Sequence, residues 1–278
     1  MKILRNSKRL IRWRSNLKSK ERVGLVPTMG CLHEGHFALM RKARKECDRV
    51  ILSLFVNPTQ FDDAADLQEY PVTEREDLKA AKTLGVDAVF LPRRLEEIYP
   101  LSEGFEIKPP SSFEEELEGK IRPGHFDGVA NVVLRLFLLS RPDRAYFGEK
   151  DYQQLKLVET LARDFQLSVK IRPVPTQRDS LGLALSSRNR RLNQEQQKEA
   201  SQLYQILKAS VSLAEAKQAL QQRGFQVEYL ESWDPDLKEP RSRGSVRWLA
   251  AVRFRGLRLI DNLDKRIDKA DGPYRLDH

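Results

Sequence analysis

Cysteine is nearly absent from this chain, which holds only Cys31 and Cys47 in 278 residues. That density excludes a disulfide framework. The spacing also fits neither a zinc motif nor a CxxC redox pair, so two small buried or half-buried thiols are expected. Long apolar runs are missing as well, and none approaches the ~18 residues of a membrane span. The basic opening MKILRNSKRLIRWRSN lacks the apolar centre of a secretory signal. The cytoplasm is therefore the expected location, with no membrane partner. The formal charge is +9, but acidic residues are mixed among the basic ones throughout. The densest basic stretches, 5–22 and 241–258, carry no interleaved set of stacking aromatics, so no nucleic-acid partner is expected.

What is present alternates. Apolar runs at 23–27, 50–56, 88–91, 145–147 and 168–172 read as strands, with a further small one at 105–108. Helical spacing marks 35–47, 73–84, 129–139 and 152–165, with Thr73 as an N-cap and Gly85 past the end. This is the pattern of an α/β protein with a Rossmann-like parallel sheet. Pro173 and Pro175 punctuate a change. Polar helices at 194–209 and 212–223 precede β-like runs at 226–232, 246–254 and 257–260. The chain is thus expected to divide into a domain of residues 1–177 and a smaller α+β domain of 178–278.

Histidine is scarce, and two of its four copies lie in one turn, Pro27–Thr28–Met29–Gly30–Cys31–Leu32–His33–Glu34–Gly35–His36. A strand–helix junction presents amide N–H groups to a phosphate, and Gly35 lets a ligand approach the backbone. A zincin HExxH would need histidine where Phe37 stands. A Walker A loop would need Lys and Ser/Thr where His36 and Phe37 stand, and no GxGxxG occurs. The remaining reading is a resemblance to the HxGH motif of nucleotidyltransferases; two packed core histidines are the alternative.

Three further segments bear on chemistry. Asn57 and Gln60 in Phe55–Phe61 follow a buried strand and suit the hydroxyl and carboxylate groups of a small ligand, unless they form a plain Asn-Pro turn. Gly148–Glu149–Lys150–Asp151 with Gln154 forms another strand–turn–helix junction, with Lys150 as a point charge for phosphate or merely one of an exposed Lys-Asp pair at a helix start. Ser186–Ser187–Arg188 could clamp a phosphate or simply cap a helix. The third internal histidine, His125, lies in Arg122–Gly128.

In order and spacing, these strings resemble the pantoate–β-alanine ligase family over about residues 20–195, and more weakly at Arg258–Asn262. The resemblance implies a Rossmann-like domain with a C-terminal lid, in a homodimer. It also implies two half-reactions: pantoate and Mg-ATP give pantoyl adenylate and pyrophosphate, then β-alanine displaces AMP. Met29, Gly30, Cys31, Leu32, His33, Glu34, Gly35 and His36 would line the ATP site. Gly148, Glu149, Lys150, Asp151, Gln177, Leu185, Ser186, Ser187 and Arg188 would do so as well. His33, His36, Lys150, Ser186, Ser187 and Arg188 would act in catalysis, and Pro27, Asn57, Gln60 and Gln154 would hold pantoate or β-alanine. No protein metal site is expected, Mg²⁺ arriving on ATP phosphates. Departures from the family pattern are Cys31, Leu181 and Leu185; Leu181 stands where an aspartate often precedes the glycine, which puts the loop's pose in question. The competing classes are a nucleotidyltransferase that stops after nucleotide transfer and a non-catalytic RNA-binding derivative.

Overall fold

The computed structural model describes Met1–Ile267; His278 lies outside the described residues. The chain forms two compact units, Met1–Glu149 with Gln153–Pro175, and Lys150–Tyr152 with the chain from Thr176 on.

The first unit runs β1 (Lys2–Leu4), α1 (Ser7–Ser15), β2 (Val23–Thr28), α2 (Glu34–Glu46), β3 (Arg49–Leu54), α3 (Ala64–Gln68), α4 (Glu74–Thr83), β4 (Ala88–Phe90), α5 (Ser111–Glu114), α6 (Leu117–Ile121), α7 (His125–Ser140), β5 (Arg144–Gly148), α8 (Tyr152–Asp164) and β6 (Lys170–Val174). Its six strands are all parallel in the order β1-β4-β3-β2-β5-β6. The order reverses between β2 and β5, and in such sheets the crevice beyond the strand ends at that point is where ligands bind. Val50, Ile51, Leu52 and Leu54 of β3 are buried, as a strand covered on both faces requires. Both cysteines are buried. A Cβ on Gly24 would meet Cys47 Sγ at 3.0 Å, so this glycine lets α2 close onto β2.

The expected strand at 105–108 does not form. The backbone of Ile107 pairs instead with one side chain: Asn131 Oδ1 accepts its N–H at 3.1 Å and Asn131 Nδ2 donates to its carbonyl at 2.9 Å. Thr73 stands at the N-cap of α4 without capping it, because its hydroxyl donates to Asp77 Oδ1 at 3.1 Å.

The second unit carries α9 (Gln194–Ala200), α10 (Gln202–Ala209) and α11 (Leu213–Gln222), then an antiparallel meander of β7 (Gln226–Trp233), β8 (Gly244–Phe254) and β9 (Leu257–Ile267). Its core gathers Leu203, Leu207, Leu220, Trp248, Ala250 and Val252. The expected single helix at 194–209 is interrupted at Ser201, whose hydroxyl donates back to Lys198 O at 2.7 Å. Arg255 and Gly256, with φ of 50° and 77°, form the two-residue turn joining β8 to β9, the twist such hairpins favour.

Candidate active site

Beyond β2 the chain makes one tight loop. Thr28 Oγ1 donates to Ser53 O at 2.8 Å and accepts the Gly30 N–H at 3.3 Å. Gly30 has φ +86°, and a Cβ there would stand 3.1 Å from Asp77 Oδ2. The buried Asp77 carboxylate then takes two successive amides, Cys31 N–H at 2.9 Å and Leu32 N–H at 2.8 Å. Cys31 and Leu32, expected to line the ATP site, have buried side chains. Cys31 holds φ 50°. Beside Met29 and Gly30 a cavity of about 370 Å³ reaches Thr73, Asp77 and the ends of β3 and β4.

The loop delivers His33 as the N-cap of α2. His33 Nδ1 accepts the Gly35 N–H at 3.1 Å, and His36 Nδ1 accepts the His33 N–H at 3.3 Å. A ring nitrogen that accepts an amide N–H carries no proton itself, so each neutral imidazole holds its proton on Nε2. The rings stand 4.1 Å apart, half-buried, at the positive end of a 13-residue helix. Gly35 is required between them, since a Cβ there would fall 2.8 Å from His33 Cε1. Two Nε2–H donors at a helix N-terminus suit an anion or a phosphoryl group. Glu34 is exposed and paired with Arg41 at 2.5 Å.

Beyond β3, Gln60 closes the short 3-10 turn Pro58–Gln60. Its amide is oriented by neighbours, with Oε1 accepting from Asn57 Nδ2 at 3.1 Å and Nε2 reaching Met29 Sδ at 3.2 Å. Asn57 is almost fully buried and its four hydrogen-bonding positions are used. Nδ2 donates to Gln60 Oε1 and Gly128 O, while Oδ1 accepts from Thr59 Oγ1 and Tyr99 OH. Asn57, expected to hold substrate, is thus bonded within the protein, one of its bonds reaching the Gln60 amide. Of the two glutamines at the start of α8, Gln153 is buried and bonded to Glu118 N, Phe113 O and Glu116 O, whereas Gln154 is half-buried. Pro27 sits within β2, paired with Ser53. Gly148 ends β5, and the Glu149 N–H bonds to Val174 O at 2.9 Å.

In the second unit, the Lys150 carbonyl accepts from Asn262 Nδ2 at 2.9 Å, and Lys150 Nζ lies 3.3 Å from Asp151 Oδ1. Arg247 donates to Asn262 Oδ1 at 2.6 Å and stacks on Tyr152 at 3.9 Å. Gln177 and Leu185 are joined through the backbone at 2.9 Å. The loop around Leu181 is closed by Asp179, whose Oδ1 accepts both the Leu181 and Leu183 N–H groups at 2.9 Å. Ser186 caps the 3-10 helix Ser187–Arg191 by accepting Arg188 N–H at 3.3 Å, with Ser187 buried and Arg188 half-buried.

Three contributors escaped the sequence reading. Asp77 was not singled out, and Asn262 gave only the faint signal of the Arg258–Asn262 string. His125 was singled out but given no role, yet its Nδ1 lies 2.7 Å from Gln60 O. Among the described residues, no group of three or more His, Cys, Asp or Glu side chains could hold a metal ion, and no helix is long and apolar enough to cross a membrane.

Known proteins share this architecture. The family model described as Pantoate-beta-alanine ligase matches residues 2–264. A pantothenate synthetase of Cereibacter sphaeroides is 49% identical over 257 residues, covering 87% of this chain and 91% of that protein. Its counterpart in Bdellovibrio bacteriovorus is 43% identical over 261 residues, or 94% and 98% of the two chains. The crystal structure of pantothenate synthetase from Thermus thermophilus has a TM-score of 0.88 at 41% identity, covering 95% of this chain and 99% of that one. Pantoate-beta-alanine ligase from Francisella tularensis, complexed with beta-gamma ATP and beta-alanine, gives 0.85 at 38% identity over 95% and 97%. The chain belongs to the pantoate–β-alanine ligase family.

Proposed function

We propose that this protein joins pantoate to β-alanine at the expense of ATP, through a pantoyl-adenylate intermediate, releasing AMP and pyrophosphate. The observation that carries the reading is the interlocked pair His33 and His36 at the N-terminus of α2. Family membership supplies the substrates.

In the first half-reaction a pantoate carboxylate oxygen attacks the α-phosphorus, and the bond to the bridging oxygen of pyrophosphate breaks. The attack brings an anion to a polyanion, so neutralisation and alignment dominate the barrier. His33 and His36 donate through Nε2 to oxygens whose charge grows as pyrophosphate leaves. Lys150, Ser186, Ser187 and Arg188 serve the phosphates; Met29 to His36, Gly148 to Asp151, Gln177 and Leu185 complete ATP binding. Gln60 and Gln154 hold pantoate, their amides offering both donor and acceptor to its carboxylate and hydroxyls. In the second half-reaction the neutral amine of β-alanine attacks the acyl carbon, AMP leaves, and the amine sheds a proton. The substrate's own carboxylate is the first nucleophile, so no protein nucleophile is required.

Mg²⁺ would supply charge neutralisation on the β- and γ-phosphates. It would arrive bound to ATP. A cytoplasmic homodimer completes the proposal.

The test is AMP formation by purified protein, expected only with pantoate, β-alanine and Mg-ATP together. Release of ADP, or turnover indifferent to β-alanine, would remove this reading in favour of simpler nucleotide chemistry.

A further inference from the structure

We propose that His125, set by Arg122, is a positioning residue that holds Gln60 in register for pantoate; this rests on the role given to Gln60 above. Gln60 belongs to a turn of three residues, too short to stabilise itself through its own hydrogen bonds. Its backbone must be held from outside if its amide is to keep one direction.

The holding group can be specified down to its proton. Arg122 NH1 lies 3.1 Å from His125 Nε2, and Nδ1 of the same ring lies 2.7 Å from the Gln60 carbonyl oxygen. A guanidinium only donates, so Nε2 must present its lone pair. The proton of the neutral ring is then on Nδ1, where it donates to Gln60 O. The opposite tautomer would set two donors against each other at Nε2 and two acceptors at Nδ1. Arg122 thus selects the tautomer that grips the turn. Burial and the Arg122 charge push the imidazole down to about 4, so the neutral form prevails near neutrality.

Arg122 is itself anchored by the chain it helps to hold. Its Nε donates to Asp62 Oδ1 at 2.8 Å, its NH2 reaches Gln60 O at 3.4 Å, and Glu118 Oε2 is 3.8 Å from NH1. Asp62 lies two residues beyond Gln60, so Gln60, His125, Arg122 and Asp62 close a ring of interactions. The other side of the turn is held by Asn57, which bonds both the Gln60 amide and Gly128 O. The string Arg122–Gly128 and the string Phe55–Phe61 therefore form one device. The first supplies the seat and the second supplies the amide that meets substrate.

Pantoate-dependent ATP–pyrophosphate exchange isolates the first half-reaction and tests this directly. Replacing His125→Leu should raise the KM for pantoate by about tenfold or more while the KM for ATP stays within about twofold. His125→Asn, whose Nδ2–H lies close to the place of Nδ1–H, should recover most of that loss. Arg122→Gln keeps the imidazole but releases its tautomer, and should give an intermediate KM for pantoate even if the leucine variant does not fold. An unchanged pantoate KM in folded His125→Leu overturns the proposal. So do equal shifts in both KM values, or an asparagine variant no better than leucine. Absence of pantoate-dependent exchange in the unmutated protein would instead overturn the functional reading on which the proposal rests.

Discussion

Gly128 lies so close to Thr59 that a Cβ added to it would stand 2.3 Å from the Thr59 carbonyl oxygen. The neighbouring atoms are backbone, with Gln60 N at 2.6 Å, so no side chain can swing away to make room. The turn carrying Gln60 is seated directly on the main chain of α7.

Gly128→Ala follows as a discriminating substitution. In an exposed helix interior this change would add about 1 kcal/mol of helix propensity. Here the clash costs about 1–3 kcal/mol, so urea unfolding should show a net loss. The KM for pantoate should rise with it. A stabilised variant with unchanged KM would mean that the turn does not need this seat.

Asp77 should govern the loop before α2. Asp77→Ala leaves the amides of Cys31 and Leu32 without their acceptor, at about 1–3 kcal/mol for each buried group. Loss of stability in urea and a raised KM for ATP are expected, with Asp77→Asn intermediate because one acceptor oxygen remains. Wild-type behaviour of the alanine variant in both measurements would exclude this role.

Acid should weaken the fold through His125. Its folded value is pushed down to about 4 from an ordinary 6.5 by burial, with the Arg122 charge adding to it. Between those values the unfolded chain binds the proton and the folded chain does not. The contribution is fully present above about pH 6.5 and is lost as pH falls toward 4, about 3 kcal/mol in all. His125→Asn should flatten the stability profile over that window. An unchanged slope between pH 6.5 and 4 would show that other groups set it.

Chemistry should depend on the paired rings. His36→Ala, which removes both an Nε2 donor and the acceptor for the His33 N–H, should slow pyrophosphate exchange at least about 100-fold with a near-native melting temperature. Lys150→Ala should cause a loss of the same order. Near-normal exchange in either variant would take that residue out of the mechanism.

Much of this was readable because it is local. An apolar run such as Val50–Leu54 requires burial on both faces, and a His-x-Gly-His turn ahead of an amphipathic stretch marks the entry to a helix. The short β1 escaped because three residues with only Leu4 buried carry no periodic signal. The strand expected at 105–108 failed because Asn131, distant in sequence, satisfies the backbone that a neighbouring strand would have satisfied.

The pairing of Gly128 with Thr59 marks where reading the sequence ends. Order and spacing of motifs, the parallel-sheet class, the histidine pair and the family chemistry are properties of the string, because each is built from short local patterns and their order along the chain. That Asp77 closes the loop before α2, that Asn57 ties the Gln60 turn to Gly128, and that His125 grips the Gln60 carbonyl were decided by the tertiary fold. The Asp77, Asn57 and His125 side chains each reach backbone dozens of residues away, at Cys31, Gly128 and Gln60, and no local pattern encodes which distant amide or carbonyl a buried carboxylate, amide or imidazole will meet.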